Sequence, residues 1–148
     1  MSLPMGMPLD MGHAIGLLVA VVLGAAIGIE RQLRRHAAGL HTNALVALGA
    51  AAYVIAGVLV GDASGPARVV GQVVTGVGFL CAGLVWHEGV NVRGINTAAT
   101  VWCSCAVGVL AGLGMLWWSA LVALAVILAN VVLHFCERRL APSDAKPD

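Results

Sequence analysis

The chain has 148 residues, of which 60% are hydrophobic and 10% charged. Soluble domains carry roughly 25% charged residues, so this is the composition of a chain that lives in lipid. A net charge of +1 supplies no basic field for nucleic acid, and four cysteines without a Cys-X-X-Cys pair argue against a disulfide framework or a zinc site.

A membrane span needs about 20 mostly apolar residues to cross about 30 Å of hydrocarbon. In chain order, residues 1–10 read as a short segment outside the membrane. The first apolar run, Met11 to Ile29, is closed by Glu30. It lacks the positive flank and small-residue cleavage site of a secretory signal, so it reads as a retained span. The second run, Ala44 to Val60, is closed by Gly61-Asp62, and the third, Val69 to Trp86, by His87-Glu88. The stretch from Ala98 to Phe135 then carries no charge over 38 residues, roughly 57 Å of helix at 1.5 Å per residue. That is too long for one crossing. Gly112-Leu113-Gly114 is a natural turn, with Trp117 and Trp118 placed for an interface. The expectation is an all-α integral membrane protein of five spans, about 11–31, 42–60, 67–86, 96–112 and 115–136. These form one transmembrane domain over 11–136, followed by a polar, disordered tail over 137–148.

Basic residues mark the cytoplasmic side of a membrane protein. Arg31, Arg34, Arg35, Arg93, Arg138, Arg139 and Lys146 fall on one side under this count, and only Arg68 on the other. The N-terminus is therefore expected outside and the C-terminus in the cytoplasm.

Two connections end alike, in Gly39-Leu-His-Thr42 and Gly94-Ile-Asn-Thr97. Aligning Gly39–Val58 with Gly94–Leu113 gives eight identities in 20 positions. Duplication of a helical hairpin would relate spans 1–2 to spans 3–4 as a parallel repeat. Small residues let helices approach closely in lipid. Gly12, Gly16, Ala20, Gly24 and Gly28 form one stripe on span 1. Ser104, Gly108 and Gly112 repeat that spacing on span 4, and span 3 offers Gly71, Gly76, Gly78 and Gly83. Spans 1, 3 and 4 are expected to form the tight core, with a homodimer through one such face as a further option.

Polar groups in hydrocarbon need partners. Glu30 reads as an interfacial ion pair with Arg31 or as part of a buried cluster with the two Gly-X-X-Thr elements. Thr42-Asn43 and Asn96-Thr97 read as helix N-caps. Facing helix N-termini with Arg93 nearby would also suit an anion. Arg68, Gln72 and Thr75 make a polar stripe on span 3, read as inter-helix hydrogen bonding or as a permeation path. Thr100 and Asn130 read as single hydrogen-bonding contacts. His36, His41, His87 and His134 fall near the cytoplasmic surface, as solvated groups or as a pH sensor. No catalytic set is legible. Ser104 and His134 lack an orienting partner or a Gly-X-Ser-X-Gly motif, and there is no phosphate-binding loop. The expectation is a protein that is not an enzyme and needs no cofactor; a metal ligand set is not legible.

Four ordered stretches resemble the membrane domain of the MgtC/SapB family. They are Gly24-Ala-Ala-Ile-Gly-Ile-Glu-Arg31, Gly39-Leu-His-Thr-Asn-Ala-Leu-Val-Ala-Leu-Gly49, Gln72-Val-Val-Thr-Gly-Val-Gly-Phe-Leu80 and Val92-Arg-Gly-Ile-Asn-Thr-Ala-Ala-Thr-Val-Trp102. The chain departs from the family at His41, usually Arg; at Cys81, usually Gly; and at Asn96, often Thr. The soluble C-terminal domain of some members is not in this sequence. The resemblance implies a multi-pass protein of the bacterial inner membrane linked to magnesium limitation or acid stress. It implies regulation through other membrane proteins such as the ATP synthase; the alternative is transport of Mg²⁺, H⁺ or a small solute. By the same resemblance, Glu30, Arg31, Thr42, Asn43, Gln72, Arg93, Gly94, Thr97 and Thr100 match the family's polar motif positions, and Asn96 stands among them. Gly12, Gly16, Gly24, Gly28, Gly76, Gly78, Gly108 and Gly112 are the expected packing positions.

Overall fold

A computed structural model describes residues 11–60, 64–88 and 91–140. Five helices follow one another: α1 (Met11–Leu33), α2 (Leu40–Leu59), α3 (Gly65–Gly83), α4 (Ile95–Gly112) and α5 (Leu116–Leu140). Each is long and apolar enough to cross a membrane. A small hairpin, β1 (Trp86–Glu88) and β2 (Asn91–Arg93), joins α3 to α4. Its strands are antiparallel, with Trp86 opposite Arg93 and His87 opposite Val92. The N-terminal segment 1–10, the tail from 141 and the Gly61-Asp62 closure of the second span lie outside the described residues.

The helix ends follow local chemistry. α1 stops where Arg35 takes a left-handed φ of 60°, which lets the His36 amide donate to the Arg31 carbonyl at 3.1 Å. Proline in the first turn of α3 has no N–H to leave unpaired there. Gly114 supplies the left-handed turn (φ 75°) between α4 and α5, as the Gly112-Leu113-Gly114 signal predicted. Two boundaries differ from expectation. α3 ends at Gly83 rather than Trp86, because Trp86–Glu88 and Asn91–Arg93 pair as a short hairpin outside the expected all-helical pattern. α5 continues as helix to Leu140, into the stretch expected as a disordered tail, although its apolar span ends at Cys136 as expected.

α4 is the central helix. It packs with α2 and α3 around Val54, Val77, Val101, Cys105 and Val109. It meets α1 and α2 at Ala20, Ala47, Ala51 and Ala111, and α1 and α5 at Ile27, Val107 and Ala123. Glycine sets the approach. A Cβ at Gly24 would strike the Asn43 carbonyl and Ala47, and one at Gly28 would strike Gly39 and Leu40. A Cβ at Gly16 would strike the Ala111 carbonyl, at Gly108 the Ala47 carbonyl, and at Gly112 that of Ala51.

The close core is therefore α1, α2 and α4, which corrects the expectation of α1, α3 and α4. A Cβ at Gly71, Gly76, Gly78 or Gly83 would meet nothing within 4 Å, and Gly12 is exposed. Spacing alone marks a smooth face but not what that face meets. α3 instead leans on α4 through Val77 and through Cys81, whose thiol donates to the Ala98 carbonyl at 3.2 Å.

Candidate functional site

The polar residues of α1, α2, α4 and α5 gather where α1 ends and α2 and α4 begin. Both Gly-X-X-Thr elements come to this end of the bundle. Gly39 packs against Gly28, and Thr97 meets Arg31. Helix α2 starts after Gly39 and α4 after Gly94; neither N-cap residue offers a side chain, and the first α2 amide, that of Leu40, instead donates to Gln32 Oε1 at 3.2 Å. The N-cap reading of Thr42-Asn43 and Asn96-Thr97 is thus corrected. The glycines take the cap positions, which frees Asn43 and Thr97 to face inward.

Asn43 is fully buried. Its amide nitrogen donates to the carbonyls of Ala38 (3.1 Å) and Gly39 (2.9 Å). Its Oδ1 accepts from the hydroxyl of Ser104 at 2.8 Å. The Ser104 oxygen also lies 3.1 Å from the Thr100 carbonyl. Ser104 is therefore held within a structural network between α2 and α4 rather than beside His134.

Arg31 is 4% exposed. One guanidinium nitrogen donates to Thr97 Oγ1 at 3.1 Å, and its Nε is buried without a hydrogen-bond partner. Glu30 pairs with Arg34 at 2.5 Å rather than with Arg31, one helical turn apart on the same face. Glu30 Oε2 lies 3.5 Å from the Asn130 amide, and Asn130 Oδ1 lies 3.5 Å from the Thr100 hydroxyl. Thr100 has a shorter acceptor in the Asn96 carbonyl at 2.9 Å. The arrangement links α1 to α5 and α4 through amide and carboxylate groups.

Beyond the α1 terminus lies His36. Burial, reinforced by the nearby Arg31 charge, holds its imidazole pKa below the ordinary 6.5; Glu30 opposes this, and His134 and Arg34 add to it.

Of the expected positions, the cluster brings together Glu30, Arg31, Asn43, Thr97 and Thr100. Arg93 and Gly94 flank it on the hairpin and at the α4 start. Gln72 is not part of it. It stands exposed on α3 beside Thr75, whose hydroxyl bonds its own Gly71 carbonyl at 3.0 Å. Within that stripe, Thr75 therefore bonds inside its own helix rather than across to a neighbour. Asn96 and His41 are also exposed, and Thr42 is half-buried. Sequence reading underrated Ser104 and Asn130. Each is an isolated polar residue in an otherwise apolar run, and that isolation was the available signal. Among the described residues, no three His, Cys, Asp or Glu side chains group as they would around a metal ion.

Five apolar spans around a buried polar cluster define a multi-pass α-helical membrane protein. A family model described as the MgtC family matches residues 17–139. The chain is 50% identical over 129 residues to Protein MgtC of Salmonella typhimurium, covering 86% of this chain and 55% of that protein. It is 53% identical over 115 residues to Protein MgtC of Brucella abortus (78% and 48%) and 51% identical over 118 residues to an uncharacterized protein of Synechocystis (80% and 50%). The chain belongs to the MgtC family, and it spans about half the length of the curated relatives it matches. No solved structure matches it.

Proposed function

We propose that this chain is a regulatory protein of the bacterial inner membrane that acts by binding other membrane proteins under magnesium limitation or acid stress. One observation carries the reading. The most deeply buried polar groups face each other instead of a passage. Asn43 and Ser104, both fully buried, bond across α2 and α4, and the same interface closes where Gly108 meets Ala47 and Gly112 meets Ala51. Helices α3 and α5 meanwhile leave most of their surface outside the bundle, where another membrane protein such as the ATP synthase has room to pack.

The test pairs partner capture with flux. The tagged chain, purified at native expression, is expected to bring ATP synthase subunits with it. In proteoliposomes it is expected to move neither Mg²⁺ nor H⁺ faster than protein-free vesicles. Flux that disappears in Glu30→Gln would overturn the reading.

That last outcome belongs to the second reading, ion transport, which one feature favours. Glu30 is a carboxylate on a spanning helix, 11% exposed, within 3.5 Å of Asn130 on another span. Magnesium binds with several oxygens in octahedral array; a single carboxylate suits a proton better.

A further inference from the structure

Between α2 and α3 runs an open groove of about 1110 Å³. Its walls are two stripes with a spacing of four residues. On α3 the stripe is Arg68, Gln72, Gly76 and Leu80; on α2 it includes Gly49 and Tyr53. The stripes are ordered by polarity along the membrane normal. Counting from the outer ends of the helices at 1.5 Å per residue, Arg68 lies about 4 Å deep. Tyr53 and Gln72 lie about 10 Å deep, Gly49 and Gly76 about 16 Å, and Leu80 about 22 Å. Charge comes first, then two hydrogen-bonding groups, then bare apolar wall. From Arg68 to Leu80 the wall runs about 18 Å, close to the roughly 15 Å of hydrocarbon in one leaflet once Arg68 is set at the headgroup level.

Gln72 and Tyr53 are both exposed to this groove's surroundings, Tyr53 by 66%. An amide one turn below the headgroup level is stabilised by a hydrogen-bonding partner there. A phospholipid meets the whole arrangement. Its phosphate lies at the level of Arg68, its ester carbonyls one helical turn deeper at Gln72 and Tyr53, and an acyl chain along Gly49, Gly76 and Leu80. We propose that the α2–α3 groove is a binding site for one anionic phospholipid, with Arg68 holding the headgroup phosphate and Gln72 and Tyr53 the ester region.

Charge decides the occupant. Arg68 holds an interaction within the chain, and a guanidinium has five donors, enough to serve a phosphate as well. A second copy docked through this groove, about a twofold axis along the membrane normal, would bring its own Arg68 to the same depth beside this one. Two guanidinium groups would then face each other in a partly desolvated site. A lipid phosphate supplies the opposite charge. The site is independent of the regulatory reading and survives if that reading fails.

The test is native mass spectrometry of the intact chain released from nanodiscs holding equal phosphatidylglycerol and phosphatidylcholine. The wild-type chain is expected to retain one phosphatidylglycerol in preference to phosphatidylcholine. In Arg68→Gln that preference should fall about fivefold, the effect of removing one cation near a charged lipid surface. Gly76→Leu should abolish retention by filling the groove, while Gly78→Leu, outside the lining, should not. Neither glycine has a neighbour within 4 Å of an added Cβ, and unchanged helical circular dichroism confirms that both variants fold. Equal retention of the two lipids by the wild type overturns the proposal. So does retention in Gly76→Leu equal to that in Gly78→Leu. Release of a dimer that Gly76→Leu splits would assign the groove to a second copy instead.

Discussion

The Ser104 hydroxyl reaches Asn43 Oδ1 at 2.8 Å, joining the two most deeply packed helices at a point sealed from both lipid and water. Asn43 in turn donates to the last carbonyls before α2, those of Ala38 and Gly39. One side chain therefore fixes both the α1–α2 connection and the α2–α4 interface. Asn43→Ala strips the Ala38 carbonyl of its side-chain donor and leaves Gly39 only the backbone amide of residue 43, while Ser104 loses its acceptor on α2, at a cost of about 2 kcal/mol. Ser104→Ala costs less, about 1 kcal/mol, because nothing but Asn43 Oδ1 loses a partner. The double variant should cost less than the sum. Reversible unfolding in mixed micelles with rising dodecyl sulfate measures all three.

Glycine packing separates the core from its flanks. Gly108→Ala drives a methyl group into the Ala47 backbone, which cannot swing aside as a side chain would. The expected loss is about 3 kcal/mol. Gly71→Ala points into open space, so its stability should stay unchanged or rise by up to about 1 kcal/mol through helix propensity alone. The same micelle titration distinguishes them. A comparable loss at both positions would mean that α3 packs more closely than described.

Gly94 starts α4 with a φ of 89°, and a Cβ there would run into the Leu84 carbonyl. Gly94→Ala meets both the strained backbone and the collision, and should cost about 2 kcal/mol or more. The damage is local. Amide hydrogen exchange should quicken first in the Trp86–Arg93 hairpin, before the centre of α4 is affected.

Acid should loosen the end of the bundle where His36 lies. Its pKa is lowered by burial first, then by Arg31, with His134 and Arg34 adding and Glu30 opposing. The folded chain thus binds its proton less readily than the unfolded chain does. Stability from this group is full above the unfolded value of 6.5 and is lost as pH falls from there through the folded pKa. His36→Gln should flatten that slope, read as the change in thermal midpoint between neutral and mildly acid buffer. An identical slope in the variant would place the acid response elsewhere.

Five spans were readable because apolar length and turn chemistry are local signals. The turn at Gly112-Leu113-Gly114 is one such signal, with Gly114 at φ 75°. The hairpin was missed because two three-residue strands with a charged face look like any polar loop. The partners of the polar residues were harder still. Glu30 sits beside Arg31 in sequence, yet a helix turns neighbours about 100° apart. Arg34, four positions on, is the residue it reaches. Glycines read as packing positions were right on α1 and α4 wherever they faced another backbone. They were wrong on α3, since composition gives the texture of a surface and not its neighbour. Gln72 shows the same limit: polarity in a span says that a partner is needed but not whether this chain supplies it.

The contacts among α1, α2 and α4 are made largely by glycine and alanine against backbone. Such residues have no rotamers to lose. Ordering a buried leucine or methionine costs side-chain entropy; ordering glycine or alanine costs none. Inside lipid, where burial of apolar surface gives no net drive to bring helices together, this saving has thermodynamic weight. The seam between the central helices is held by many weak dispersion contacts at short range, set against almost no loss of side-chain freedom.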